Sequence, residues 1–184
     1  MNWRALFFDN PYRFRKILAN DKITLMAPGS TTLDEFDLRL LALVQADGRL
    51  SQAELGNRVG LSTAAVNRRL KRLLDAGVIQ RWGALLSPTA LGHPLTVVVQ
   101  VEVESERIDL LDAMKRGFRA CPQVQQCYYV AGEWDFILVM AVRDMEQYTA
   151  LTRQLFFESN NVKRFKTLVA LDRVKASLDV PVAG

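Results

Sequence analysis

Ser51 to Gly77, SQAELGNRVGLSTAAVNRRLKRLLDAG, admits few folds. Ser51 and Glu54 make the S-x-x-E pattern of a capping box, in which a hydroxyl accepts from the backbone N–H three residues on and the carboxylate reaches back. A helix therefore starts after Ser51. Ser62 can cap a second helix, and Gly77 can end it in the left-handed conformation that a residue without Cβ adopts cheaply. Only Gly60 and Leu61 lie between. Two short helices joined by such a turn describe a helix-turn-helix, whose second helix enters the DNA major groove.

Turning the second helix by about 100° per residue puts Val66, Leu70, Leu73 and Leu74 on one face and Ala64, Ala65, Arg68 and Arg72 on the other. Lys71 flanks the outward face and Arg69 borders the core, so four cations face one acid of the same helix, Asp75. A merely solvated surface helix would alternate signs to gain i,i+4 pairs; this one is nearly all positive and fits a polyanion. The small Ala64 and Ala65 permit close approach. Asn67 suits adenine and Arg68 suits guanine. The expected DNA-binding set is Ser62, Thr63, Ala64, Asn67, Arg68, Arg69, Lys71 and Arg72.

The charge of +4 is spread unevenly over the 184 residues: +3 in residues 1–32, +2 in 33–92 and −1 in 93–184. The C-terminal half thus lacks an electrostatic reason to bind nucleic acid. Cys121 and Cys127 form no C-x-x-C pair and His93 is the single histidine, which argues against zinc and leaves two buried thiols of a reducing compartment as the expectation. No metal, cofactor or catalytic residue is expected. With no run approaching 18 apolar residues and charges at Arg4, Asp9 and Arg13, neither a membrane span nor a signal peptide is expected, and the location is read as cytoplasmic.

Residues 1–31 mix aromatic and basic side chains and end in the breaker-rich APGS. A poorly ordered extension or short docked helix is expected there, with two readings open: an upstream start ahead of Met26, or a basic arm adding phosphate contacts through Arg13, Arg15 and Lys16. Thr32 with Glu35 reads as another capping box, and Phe36, Leu40, Leu43 and Val44 recur at helical spacing. Residues 32–77 thus form a three-helix domain. An extended segment (Val78 to Leu86) and Gly92-His93-Pro94 make a linker over 78–94.

Beyond Pro94 the period changes. Leu95–Glu104 reads as a strand, Ile108–Ala120 as an amphipathic helix and Val124–Val130 as a strand; Phe136–Val142, Met145–Phe157 and Val162–Leu171 repeat that order. Two such units predict a ferredoxin-like βαββαβ domain over 95–174, an antiparallel sheet with both helices on one face, followed by a tail over 175–184. Val97, Val99 and Val101 fall on one face of the first strand and Val98, Gln100 and Glu102 on the other. That second, partly apolar face is expected to be covered by another copy of the chain, placing two recognition helices on successive major-groove turns.

Leu33-Asp34 with Asp37, Asp47-Gly48-Arg49, Glu54-Leu55, Val59-Gly60-Leu61-Ser62, Arg69 with Arg72-Leu73, Gly77-Val78-Ile79 and Gly132-Glu133-Trp134-Asp135-Phe136 together resemble the leucine-responsive and asparagine-synthetase regulator family, Lrp/AsnC, over about Leu33 to Val174. The resemblance implies an α+β protein: an N-terminal winged-type helix-turn-helix domain followed by a ferredoxin-like ligand-binding and oligomerisation domain. It implies homodimers assembling into octamers or other higher oligomers, with an amino acid or related small molecule bound between subunits. The implied effector site is the turn Gly132, Glu133, Trp134 and Asp135, with Met145, Leu155 and Leu168. The other reading of the turn is local, a hairpin with Gly at positive φ and Asp holding the backbone.

The sequence therefore describes a DNA-binding transcriptional regulator. One alternative is an architectural protein contacting phosphates with little sequence choice. Another, enzymatic, is a siroheme decarboxylase, which shares the two-domain plan; the lone His93 in a Gly-His-Pro linker and the cationic helix argue against it.

Overall fold

The computed structural model describes residues 32–157 and 161–182. The expectations for residues 1–31, including the Met26 start and the Arg13, Arg15 and Lys16 arm, lie outside the described residues. The described chain divides into a helical unit, residues 32–85 with 175–182, and a sheet unit, residues 86–174.

The helical unit holds α1 (Glu35–Ala46), α2 (Gln52–Val59) and α3 (Thr63–Asp75). The cap of α1 is Asp34, not Thr32: the Asp37 N–H donates to Asp34 Oδ1 at 2.9 Å, and the Asp34 N–H donates to Asp37 Oδ2 at 3.1 Å. Thr32/Glu35 and Asp34/Asp37 have the same spacing. Arginines on α3 that grip Asp37, described below, favour the later register. Helix α2 starts as expected, with the Ser51 N–H on Glu54 Oε2 at 2.8 Å and the Glu54 N–H on Ser51 Oγ at 3.2 Å. Gly60 then turns the chain at φ 75°, and Ser62 Oγ accepts from the Ala65 N–H at 3.2 Å to open α3. Gly77 leaves α3 at φ 72°.

Leu40, Leu55, Val59 and Val66 form the centre of this unit, with Leu43, Val44, Leu50, Leu61 and Leu70 packed around them. Leu73 is also buried, but Leu74, expected on the same face, is exposed. No strand occurs over Val78–Leu86; Ile79 is buried and its N–H returns to Leu73 O, while Leu85 and Leu86 face solvent. The tail is not a separate appendage. Gln45 Nε2 donates to Val180 O at 2.8 Å and the Val180 N–H donates to Gln45 Oε1 at 3.1 Å, fastening it to α1.

The sheet unit runs β1 (Leu95–Val103), α4 (Ile108–Ala120), β2 (Val124–Tyr129), β3 (Phe136–Val142), α5 (Met145–Thr152) with a π-helical turn (Arg153–Phe157), and β4 (Val162–Val169). Its strand order is β2-β3-β1-β4, all antiparallel, the ferredoxin-like arrangement. Alternation puts Val97, Val99, Val101 and Val103 into one core with Leu111, Met114 and Phe118 of α4, Phe136, Leu138 and Met140 of β3, and Leu155 and Phe156. The helices therefore cover one face, leaving Val98, Gln100 and Glu102 half-buried on the other.

Three strands stop one or two residues before the sequence pattern does, and the helix expected to reach Phe157 turns π-helical at Arg153. That wider turn carries Leu155 and Phe156, both buried. Cys121 is buried as expected; Cys127, on the edge strand β2, is exposed.

Candidate nucleic-acid interface and effector turn

The α3 cations separate into two pairs. Arg69 Nη1 donates to Asp34 Oδ2 at 2.7 Å and to Asp37 Oδ1 at 2.8 Å, and its guanidinium lies 5.5 Å from the centre of the Phe36 ring. Arg72 Nη2 donates to Asp37 Oδ2. The Asp37 side chain is only 1% exposed. Arg69, read at the border of the core, and Arg72, read on the outward face, thus each meet an acid from the start of α1, which a single-helix wheel does not contain; the Arg72 side chain keeps 45% of its exposure. Arg68 and Lys71 are exposed, as are Ser62, Thr63, Ala64 and Asn67. Gln52 Nε2, at the start of α2, donates to Asn67 Oδ1 at 3.3 Å.

Burial works to raise the Asp37 carboxyl, but the Arg72 hydrogen bond, the Asp34 N–H and Arg69 outweigh it, and the net shift is downward. A carboxyl lowered in the folded state stabilises fully above its unfolded value, about 3.9 for Asp, and loses that contribution as pH falls through its lower folded value. The α1–α3 clamp therefore holds at neutral pH and weakens only in strong acid.

The expected effector turn is the β2–β3 connection. Asp135 is 4% exposed, and its Oδ2 accepts from the buried Val103 N–H at 2.8 Å. One oxygen of this turn carboxylate thus serves the backbone of β1. Gly132 is not among the positive-φ glycines, so the hairpin argument for it does not hold. Glu133 accepts from Arg164 Nη2 at 3.2 Å, and Arg164 also donates through Nε to Glu102 at 2.5 Å and lies 4.6 Å from the Trp134 ring centre. Lys163 Nζ adds a second donor to Glu102 at 2.9 Å. The Glu102 carboxyl is lowered by the Lys163 and then the Arg164 hydrogen bond, against a smaller desolvation effect.

The other effector candidates lie apart within one protomer. Met145 opens α5 beyond the far end of β3, about 20 Å from the turn at the rise of an extended strand. Leu155 lines a cleft of about 480 Å³ between α4 and the π-helical turn, beside Gly117, Cys121, Gln123 and Gln154. Leu168 pairs with Val98 and so belongs to the face away from the helices. That cleft holds none of the turn residues, nor Met145 or Leu168.

Asp135→Ala should lower the stability of the sheet unit by about 2 kcal/mol, because it leaves a buried N–H without its acceptor. Differential scanning calorimetry should show that unit's transition fall by roughly 10 °C, with Asp135→Asn losing less since it keeps an acceptor oxygen. An unchanged transition would show that the Val103 contact carries no stability.

Sequence reasoning did not single out Gly56, Gln52, Glu102 or Arg164. Gly56 alone left a local signal, a glycine inside the helical pattern of α2. A Cβ there would lie 2.4 Å from Leu61 O, so glycine is what lets the turn close against α2. Gln52 and Arg164 are exposed and Glu102 is half-buried, and the partners of all three are distant in sequence.

Comparison with known proteins agrees with both units. Residues 33–80 match the model of a winged helix-turn-helix DNA-binding domain and residues 96–180 that of the Lrp/AsnC ligand binding domain. An uncharacterised HTH-type transcriptional regulator of Sinorhizobium fredii is 46% identical over 82% of this chain and 89% of its own length. The leucine-responsive regulatory protein of Escherichia coli K12 is 33% identical over 79% of this chain and 88% of its own. A transcriptional regulator of Neisseria meningitidis, solved as a complex with L-Met, superposes with a TM-score of 0.75 at 30% identity, covering 82% of this chain and 97% of that one. With a cationic helix presented by a capped three-helix unit, a ferredoxin-like sheet unit following it in the chain and relatives at this identity along most of its length, the chain belongs to the Lrp/AsnC family of helix-turn-helix transcriptional regulators.

Proposed function

We propose that this regulator reads a specific DNA sequence through Ser62, Thr63, Ala64, Asn67, Arg68 and Lys71, and that an amino acid or related small metabolite bound between copies of the chain adjusts that binding. The observation that carries the DNA half is the division of the α3 cations: Arg69 and Arg72 are held by α1, while Asn67, Arg68 and Lys71 are exposed together. Arg68 offers a bidentate donor to guanine, and Lys71 a point charge to phosphate. The protein works in the cytoplasm, where its DNA is, and without enzymatic activity of its own; its relatives are named as regulators, and His93 sits in a linker turn.

Arg68→Ala should weaken binding to the protein's own upstream region by about 1–3 kcal/mol while random DNA at the same salt loses far less. Equal losses on both would make Arg68 a phosphate contact and favour an architectural protein.

The effector half rests on the uncovered sheet face and on the amphoteric group at its end. Arg164 supplies a donor for a carboxylate, Glu133 and Glu102 supply acceptors for an ammonium, and Trp134 supplies an apolar wall. Because the other candidates lie far from the turn in one protomer, a complete site needs a second copy, forming homodimers and higher oligomers through Val98, Gln100, Ile137 and Leu168. The L-Met bound in the Neisseria structure supports this ligand class. Light scattering of the full chain should report a dimer or larger species whose population shifts with one member of an amino-acid panel. A monomer that no amino acid alters would overturn this half and leave the DNA half standing.

A further inference from the structure

Gln52 was not among the expected DNA-binding residues, and neither helix pattern needs a glutamine there. It is the first residue of α2, exposed, and its Nε2 donates to Oδ1 of Asn67 at 3.3 Å across 15 residues of chain. Both ends of that bond are carboxamides, and a carboxamide has two flip states that exchange an acceptor for a donor pair. The choice matters wherever the group reads a base. Adenine presents N6–H₂ as donor and N7 as acceptor in the major groove, and an asparagine matches it with its carbonyl on N6 and its amide on N7.

We infer that Gln52 is a specificity-determining positioning residue: through its hydrogen bond to Asn67 it holds the Asn67 carboxamide in place, poised to read adenine. The inference rests on Asn67 being a base reader, as proposed above. In the bonded state Asn67 directs its carbonyl to Gln52. Turning the Asn67 carboxamide over keeps the bond only if the Gln52 carboxamide turns with it, so the two groups move as a coupled pair rather than as free rotors. A carbonyl oxygen has two lone pairs, so one can stay on Gln52 while the other accepts from adenine N6–H₂. The Asn67 amide group then donates to N7, and the bidentate pair forms without first ordering a free rotor. α2 anchors the arrangement. The Ser51–Glu54 capping box fixes its first turn, and the Leu61 N–H on Gly56 O at 2.9 Å fixes the turn between the helices, so the two carboxamides meet on a rigid frame.

The contact is polar, exposed and outside both hydrophobic centres, so its loss should act on base choice rather than on folding. That separates it from Asp37 and Gly56, whose changes act through stability. Gln52→Glu provides a sharper perturbation than Gln52→Ala. A carboxylate at position 52 only accepts, so it should draw the Asn67 amide group and turn the carboxamide over. Helix α2 tolerates the change because an acidic residue suits the first turn of a helix.

The test is selection of binding sites from a randomised duplex library by full-length wild type, Gln52→Ala, Gln52→Glu, Asn67→Ala and Arg68→Ala, with thermal melts of each. Wild type should show an adenine preference at one base pair per half-site that Asn67→Ala erases. Gln52→Ala should reduce that preference roughly fivefold, the ratio of one ordinary hydrogen bond, with its melting temperature and its affinity for random DNA unchanged. Gln52→Glu should lose or reverse the preference at the same base pair, beyond any sequence-independent weakening from its added negative charge. If Asn67→Ala erases the preference while both Gln52 variants keep it, the positioning role is wrong and Asn67 remains a reader. A profile insensitive to Asn67→Ala but altered by Arg68→Ala removes Asn67 from the readers and overturns this inference, leaving a specific regulator. Insensitivity to every α3 variant overturns both readings.

Discussion

Asp37→Ala is expected to destabilise the helical unit by about 2–4 kcal/mol. Removing one member of a buried ion pair costs about 3–5 kcal/mol when the partner stays buried and uncompensated. Here Arg69 and Arg72 keep side-chain exposures of 24% and 45%, so water recovers part of the loss. The substitution also removes half of the α1 capping box, because Asp37 accepts from the Asp34 N–H. In calorimetry of the full chain, the helical transition should fall by roughly 10–20 °C while that of the sheet unit stays in place. Arg72→Ala should reproduce part of the loss, and its effect on DNA binding should follow the unfolded fraction rather than the salt slope. If Arg72→Ala leaves stability untouched and flattens the salt dependence, Arg72 is a phosphate contact after all.

Gly56→Ala is the second large effect, expected at about 3 kcal/mol. Its added methyl meets Leu61 O at 2.4 Å, and the obstacle is backbone, which cannot swing aside as a side chain can. Opening the turn to admit it also stretches the Leu61 N–H bond to Gly56 O and disturbs Val66, whose Cγ2 lies 3.6 Å from the new atom. Outside such a contact the same substitution in a helix would stabilise by about 1 kcal/mol through propensity. The sign of the change thus reports the turn. A raised transition temperature would mean that the helices can separate there without penalty. In the expected case, specific DNA binding should fall in parallel with the melting temperature, because α3 is positioned by this turn.

The sequence determined what is local. Ser51, Ser62, Gly60 and Gly77 place the ends of two helices because capping depends on residues three or four apart, and the alternation of Val97 to Val103 set the inward face of β1 because side chains along a strand alternate. The order strand, helix, strand, repeated once, was enough for the ferredoxin-like sheet. Tertiary structure decided whatever depends on a partner from another element. On a helical wheel Arg72 shares the outward face with Arg68 and Arg69 borders the core, and only the return of α1 against α3 reveals that Asp34 and Asp37 hold them. Asp135 reads as an exposed turn acid, yet the crossing of β1 beside the turn brings Val103 N–H to it and buries both. Gln52 and Asn67 are unremarkable polar residues 15 positions apart until the turn at Gly60 brings their carboxamides together. A short-range pattern fixes conformation because its interactions fall within one helical turn or strand repeat; a side chain's role follows from the charge or hydrogen bond that meets it, and that partner is placed by the packing of the whole unit.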